Sequence, residues 1–485
     1  EKLILSYSDT NAKGEGISPA YLIGSIRSLY PKLEIEGGAG VRPHKNSINN
    51  YCYPENPEAG IDLFLEKLVQ ETEKEHEDIL EQADETDAMF GELYSWYLRN
   101  PEYRSRVQKL VQSAFAGKPE DIISQSVAKA LYGEVSPYSA TRLERFAACA
   151  FAHFLQYGMK LTERVEYEFK PMDMGNVMHE ALESFAEEVR KRGMKWTELT
   201  EQERNEIADR CLDNIVADYG NTVLKSSARN EYMIERTRRI LRRTVWALQK
   251  QLEQGEFQPE GFEVTFGGGR IDRVDIMEDQ NKVYVKVIDY KTGNTSFDLV
   301  YLYHGLQLQL MIYLDGALRV EQKKYPDKEI IPAGVFYYNI KDPMIQEKID
   351  ADVEAVSAGL MKELKMNGLV QADPELVYRM DSSLGSIPVA FNKDGSFRKN
   401  SSVADRTQFA VLGRYVRTKI EKIRSSILEG DAEVSPYELG KKNACTYCPY
   451  MTVCGFDRRL SGYEFRRLKN FSDEELWKAF DREAE

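Results

Sequence analysis

Two aspartates and a lysine give the strongest chemical signal in the sequence. Gly269-Arg-Ile-Asp272-Arg reads as a strand, and Val287-Ile-Asp289-Tyr-Lys291-Thr-Gly293 reads as its neighbour after a short turn. Side chains alternate along a strand, so Asp289 and Lys291 share a face and Asp272 can meet them from the adjacent strand. Mg²⁺ prefers oxygen ligands and keeps several waters, so one or two carboxylates plus substrate phosphate oxygens suffice to hold it. Held there, it would acidify water and offset charge on a phosphoryl group, while the lysine orients that water or stabilises developing negative charge. The chemistry implied is phosphodiester hydrolysis. A bare Asp-x-Lys is more often an exposed ion pair at a strand end. Apolar residues on the buried side of both strands weaken that alternative.

Three further sets of residues bear on the site. Met174-Gly-Asn-Val-Met-His179-Glu-Ala-Leu-Glu183 puts His179 and Glu183 one helical turn apart, where a neutral imidazole can complete a metal shell. Gln309 and Tyr313 repeat the one-turn spacing with two hydrogen-bonding side chains among apolar neighbours. Cys445-Thr-Tyr-Cys448-Pro-Tyr-Met-Thr-Val-Cys454 gives three thiols, one short of a four-thiolate site, and Cys149 is the candidate fourth. Closure would staple positions 149 and 445 together across the core between them. Spacing leaves zinc and an iron-sulfur cluster both open. Cys211 shares helical spacing with Ile207 and Ile215 and is expected in the core, while Cys52 falls in a loop.

The elements that must position these residues are readable from periodicity. Phe262 to Phe266, Gly269 to Ile276 and Val283 to Tyr290 read as successive strands, followed by a helix from about Leu302 to Val320 and a strand at Ile331 to Tyr338. Asn392-Lys-Asp-Gly395 reads as a hairpin turn. Upstream, Thr141-Arg-Leu-Glu144 has capping-box spacing ahead of an apolar stripe, and charged helices run from Thr197 to about Glu253. Lys2 to Tyr7 looks like a strand, and a helix is expected near Ser18-Pro19. The expected class is α/β, a mixed central sheet flanked by helices. The expected organisation is 1–50 as the remnant of an upstream domain, 51–135 as an acidic helical connector, 136–470 as the catalytic domain and 471–485 as a tail.

At 485 residues the chain is long enough for two or three cores, and six cysteines are too sparse for a disulfide scaffold. No window approaches a membrane span and no signal-peptide pattern opens the chain, so a cytoplasmic protein is expected. Glu1 in place of methionine suggests a fragment. The net charge of −14 argues against nucleic acid only superficially, because residues 51–100 carry 14 acidic and 3 basic residues, leaving −3 for the other 435. Lys225 to Arg243 holds 7 basic and 2 acidic residues, and Arg398 to Arg424 holds 8 and 2, so each can offer a cationic helix face to phosphate. A solvated helix surface is the plainer account of either run alone.

Taken in order, these residues resemble the RecB-type nucleases of the PD-(D/E)xK superfamily, with restriction-endonuclease-like cores, and among them most closely the B-subunit family of AddAB-type helicase/deoxyribonucleases. The resemblance runs from about Ser136 to Leu468. It rests on Tyr138-Ser-Ala-Thr-Arg-Leu-Glu-Arg-Phe-Ala-Ala-Cys149, the Gly-x-x-x-His ending at His179, Gly-Arg-Ile-Asp272-Arg, Asp289-Tyr-Lys291, Gln309-x-x-x-Tyr313 and the cysteine triplet. Ala150 departs from a family in which proline often follows the first cysteine. The resemblance implies that His179, Asp272 and Asp289 bind Mg²⁺ or Mn²⁺, that Lys291 is the catalytic lysine, and that Gln309 and Tyr313 support the site. Glu263 and Glu183 are possible additional acids. It further implies a [4Fe-4S] cluster on Cys149, Cys445, Cys448 and Cys454, a helicase-nuclease A subunit as partner, and single-stranded DNA ends as substrate in double-strand-break repair. No Gly-x-x-x-x-Gly-Lys-Ser/Thr loop occurs, so ATP hydrolysis is not expected of these residues. The rival expectation is a non-catalytic DNA-binding subunit with a vestigial pocket; it predicts binding without cleavage even with Mn²⁺.

Overall fold

The computed structural model describes residues 21–31, 56–73, 85–114, 122–133, 139–162, 171–218, 227–267, 269–345, 352–460 and 462–484. The expected strand at Lys2 to Tyr7, the helix start at Ser18-Pro19 and Cys52 lie outside these residues. The chain forms two compact units, Glu1–Ala116 and Gly117–Glu485. In the first, the described helices are α1 (Tyr21–Leu29), α2 (Pro57–Glu73), α3 (Glu85–Arg99) and α4 (Pro101–Ala114). Proline opens α2 and α4, where a missing N–H costs nothing. Ile61, Phe64 and Leu68 recur at helical spacing and bury against Phe90, Tyr97 and Val107.

The second unit begins with α5 (Gln125–Tyr132), α6 (Ala140–Ala148), α7 (Ala150–His153), α8 (Pro171–Lys191), α9 (Glu201–Asp218) and α10 (Ala228–Glu253). Strands β1 (Gln258–Phe266), β2 (Gly269–Asp279) and β3 (Lys282–Lys291) follow, then α11 (Leu299–Tyr303), α12 (Gln309–Lys324) and β4 (Glu329–Asn339). Next come α13 (Val353–Glu363), β5 (Asn367–Gln371), α14 (Pro374–Met380), β6 (Val403–Ala404) and α15 (Arg406–Glu429). The chain ends with β7 (Tyr437–Leu439), β8 (Lys442–Asn443), α16 (Met451–Cys454), β9 (Arg466–Arg467) and α17 (Asp473–Ala484).

Strands β1 to β6 form one sheet in sequence order, antiparallel except at β3–β4 and β5–β6. The expected mixed sheet flanked by helices is therefore present. Strand β3 shows the two-residue period directly. Tyr284, Ile288 and Tyr290 join the core built with α8, α9 and α10, while Val283, Val285 and Val287 join the core built with α6, α12, α15 and α17. Covered on both faces, β3 reads as a near-continuous apolar run, and its polar exceptions stand out. The Asn392 turn is also present, with Gly395 at φ +84° and a bridge between Phe391 and Phe397.

Four expectations are corrected. The helix expected over Leu302 to Val320 is two helices, broken where Gly305 takes φ +79°, a conformation that favours glycine. Thr141 does not cap α6; Ser139 does, its Oγ accepting from Arg142 N at 3.4 Å. Residues 471–485 are not a bare tail, because Leu476 and Phe480, one turn apart on α17, are buried in the core. The basic run on α10 is neutralised in part: Arg238 pairs with Asp209 and Asp213, Arg242 with Asp209, and Arg239 with Asp342.

A buried charge network lies within the sheet. Arg273 donates to Asp275 at 2.6 and 2.9 Å, Lys286 Nζ lies 3.0 Å from the same carboxylate, and the guanidinium stacks over Trp196 and Phe262. Burial alone would raise the Asp275 pKa, but Arg273 and Lys286 more than offset it and hold it low. Asp275→Asn would leave two buried cations without their counter-charge. It should cost about 3–5 kcal/mol, read as a lowered denaturation midpoint at unchanged slope.

Candidate active site

The sheet register assembles the site. Antiparallel pairing sets Arg273 opposite Ile288, so one step further along the ladder Asp272 faces Asp289. Asp272 Oδ2 accepts from Tyr290 N at 2.7 Å, which fixes that carboxylate against β3. Lys291 Nζ lies 2.6 Å from Asp289 Oδ2 and donates to Gln309 Oε1 at 2.7 Å. Gln309 Nε2 in turn donates to the Tyr313 hydroxyl at 2.9 Å. Asp289, Lys291, Gln309 and Tyr313 are thus one polar chain, and the lysine ammonium also lies over the Tyr337 ring.

Helix α8 brings His179 to the other side of the aspartates. Its Nδ1 lies 3.4 Å from Asp272 Oδ2 and 3.7 Å from Glu263 Oε1. Ligand atoms of His179, Glu263 and Asp272 all fall within 4.8 Å of one another, and among the described residues this is the set so gathered. Glu263 is held there at φ +49°, a rare conformation for a residue with a side chain, and its carboxylate also pairs with Arg270. Glu183, one turn along α8, stays outside that set, as does Asp289, whose carboxylate turns to Lys291.

Burial and mutual repulsion set the electrostatics. Burial, and then the neighbouring Asp289, push Asp272 up to about 7. Burial likewise raises Asp289 against the opposing pull of Lys291. For His179, burial favours the neutral ring, yet the Glu263 hydrogen bond and the Asp272 charge outweigh it and the pKa rises. A pocket of crowded carboxylates with one imidazole suits a hard divalent cation, whose charge would relieve the repulsion that protons otherwise relieve. The donor set therefore fits the metal that the sequence implies.

Glu144 is legible in the sequence only as a capping-box residue. Its carboxylate instead reaches α12, where Oε1 accepts from Leu308 N at 2.7 Å and Gln309 N at 3.0 Å. Burial pushes it up to about 7. Away from this site, Cys149, Cys445, Cys448 and Cys454 line one pocket walled by Phe151, Val434, Tyr450 and Phe456. None of the four is in a disulfide, and Cys445 is pushed up to about 12 by burial and then by its cysteine neighbours. Such a cradle of thiols that repel one another when ionised fits a cationic metal group. Cys211 is buried beside Ile207 and Ile215, as expected.

A strand-borne Asp and Asp-x-Lys pair, served by a helical histidine and a Gln-x-x-x-Tyr helix, defines a nuclease class. The family model of the PD-(D/E)XK nuclease superfamily matches residues 137–455, and the chain belongs to that superfamily. More particularly, it is similar to proteins named as the B subunit of an ATP-dependent helicase/deoxyribonuclease. The one from Lachnoclostridium phytofermentans is 39% identical over 508 residues, covering 100% of this chain and 42% of the relative. Those from Clostridium novyi and Thermoanaerobacter sp. are 32% and 30% identical, covering 100% and 99% of this chain and 44% and 43% of theirs. The chain thus spans about two-fifths of the length of these curated relatives.

The Asp272 shift carries a stability consequence. Between about pH 4 and 7 the unfolded chain ionises this carboxyl while the folded protein retains its proton, so metal-free stability falls as pH rises through that window. Asp272→Asn keeps an acceptor for Tyr290 N and removes the charge. In chelator at pH 8 it should raise the melting temperature by about 2–4 °C, with little difference at pH 4.

Proposed function

We propose that this chain is the nuclease part of a helicase-nuclease complex. It hydrolyses phosphodiester bonds of single-stranded DNA ends, exonucleolytically, as a helicase A subunit delivers them during double-strand-break processing for recombinational repair. What carries the reading is the meeting of His179, Glu263 and Asp272 within 4.8 Å, beside the Asp289–Lys291–Gln309 chain. The names of the similar proteins, which speak of helicase and deoxyribonuclease together, support the setting. A cytoplasmic location follows from the DNA substrate. Among the described residues no helix is long and apolar enough to cross a membrane.

His179, Asp272 and Asp289, with Glu263 added, are the residues to hold Mg²⁺ or Mn²⁺. The bound ion supplies Lewis-acid charge neutralisation and a more acidic water. Lys291, held between Asp289 and Gln309 with about a quarter of its side chain exposed, places a fixed cation where phosphate charge develops. Tyr313 and Gln309 keep that ammonium from swinging away. A groove of about 580 Å³ between α12 and α15 gives the strand a path; Arg319, Lys323, Arg417 and Arg424 line it, with Asp315 bridging two of them. Phe266, on its wall, packs edge-on against Tyr313, so the groove adjoins the site.

A [4Fe-4S] cluster on Cys149, Cys445, Cys448 and Cys454 is part of the proposal. Its support is that all four cysteines line one pocket and that burial and the neighbouring cysteines together raise the proton affinity of Cys445, a repulsion that a cationic metal group would relieve.

Asp289→Ala and Lys291→Ala should each lower Mg²⁺-dependent release of nucleotides from end-labelled single strands by at least about 100-fold, with the fold intact by circular dichroism. Full activity in both variants would end the catalytic reading. Anaerobically purified protein should be brown and contain iron and acid-labile sulfide; colourless protein with one zinc per chain would replace the cluster assignment.

A further inference from the structure

Helix α12 carries Gln309 and Tyr313, yet nothing in its own sequence caps it. Its N-cap position is Leu308, which offers no side-chain hydrogen bond to the first turn. A helix start leaves several N–H groups without intrahelical partners, and burying them unmet is costly. Glu144 meets two of them from a helix 164 residues earlier, with one carboxylate oxygen shared between Leu308 N and Gln309 N. A carboxylate there also faces the positive end of the helix dipole.

The approach is close along the whole contact. The bend that separates α11 from α12 turns at Gly305, where a Cβ would come within 3.2 Å of the Ala147 Cβ on α6. Helix α6 is therefore pressed against the break that sets where α12 begins. The residue next to Glu144 points to the other site: Arg145 Nη2 lies 3.8 Å from Cys448 Sγ, and its guanidinium lies over the Tyr450 ring. Cys149 itself closes α6 at its C-cap. Five residues, about 7.5 Å of helix, thus separate Glu144, which supports Lys291 through Gln309, from Cys149 in the cysteine pocket.

We propose that Glu144 is a positioning residue: by holding the first turn of α12 it sets the Gln309–Lys291 contact, and through α6 it ties the geometry of the lysine to the cysteine pocket. The proposal rests on Lys291 being the catalytic lysine. It assigns Glu144 no contact with substrate or metal; its work is done through Gln309. A mainly hydrogen-bonding role needs an acceptor oxygen at that point and does not need the charge.

The test compares Glu144→Ala, Glu144→Gln and Glu144→Asp in the whole chain. Glu144→Ala should lower kcat on single-stranded DNA by about 100-fold with KM within twofold. Glu144→Gln, which keeps the acceptor, should restore kcat to within about threefold of the parent. Glu144→Asp, whose oxygens fall short by one methylene, should resemble Ala in kcat and serves if the Ala variant does not fold. Parental kcat in the Ala or Asp variant, or a Gln variant as impaired as Ala, would overturn the proposal. A crystal structure of the Ala or Asp variant gives a readout independent of activity: Gln309 Oε1 should leave Lys291 Nζ, and a contact retained at 2.7 Å would be decisive against it. Should the parent protein itself fail to cleave with Mg²⁺ or Mn²⁺, the catalytic reading falls, while that structure still decides whether Glu144 places α12.

Discussion

Three carboxylates cannot share a dry pocket as anions, and the second unit is organised around that fact. Asp272, Asp289 and Glu263 are all largely withdrawn from solvent. Each needs a proton, a cation or a donor nearby, and the structure supplies one of every kind: Tyr290 N, Lys291, His179 and Arg270. The balance is incomplete, because burial and neighbouring charge still hold the proton affinity of Asp272 near neutral pH. A site that binds a cation well is one that is uncomfortable without it. The cost falls on the folded state, and the two apolar layers on either face of the sheet offset it.

The same sheet carries a second charge cluster with the opposite character. Arg273, Asp275 and Lys286 are closed off from solvent, joined through one shared carboxylate and packed on aromatics. Asp272 and Arg273 are adjacent in sequence yet belong to different clusters, since alternate residues of a strand face opposite ways. One cluster fixes the sheet and the other stays open to chemistry. Sequence position alone does not tell them apart; the aromatic cover over Arg273 does.

How much of this is legible in the sequence follows the range of the interaction. Asp272, Asp289 and Lys291 are readable because a tight antiparallel turn converts sequence spacing into cross-strand proximity. His179, Gln309 and Tyr313 are readable as one-turn helical pairs, and the structure does bring them to the aspartates. Glu263 emerges only as a possible extra acid, because its place depends on a positive φ that no residue type announces. Glu144 misleads, since its partners lie 164 and 165 residues away and a local capping pattern offers a simpler account. The break at Gly305 is hidden because the apolar periodicity continues across it. The cationic face expected of α10 is reduced for a related reason: the carboxylates that pair with Arg238 and Arg242 sit on α9, at a distance that charge counting along the chain does not register.

Arg145 and Cys448 meet across 303 residues. At ribosomal speeds of ~5–20 residues per second, the first of them waits on the order of 15–60 s for the second to be made. Over that interval α6 has neither its thiol neighbours nor α15 and α17, which complete the core on its side of the sheet. The hairpin of β1, β2 and β3 can pair long before, since its contacts are local. Biogenesis is therefore ordered: the acidic half of the centre is laid down early, and the helix that aligns its lysine is locked only after residues 445–484 have been made.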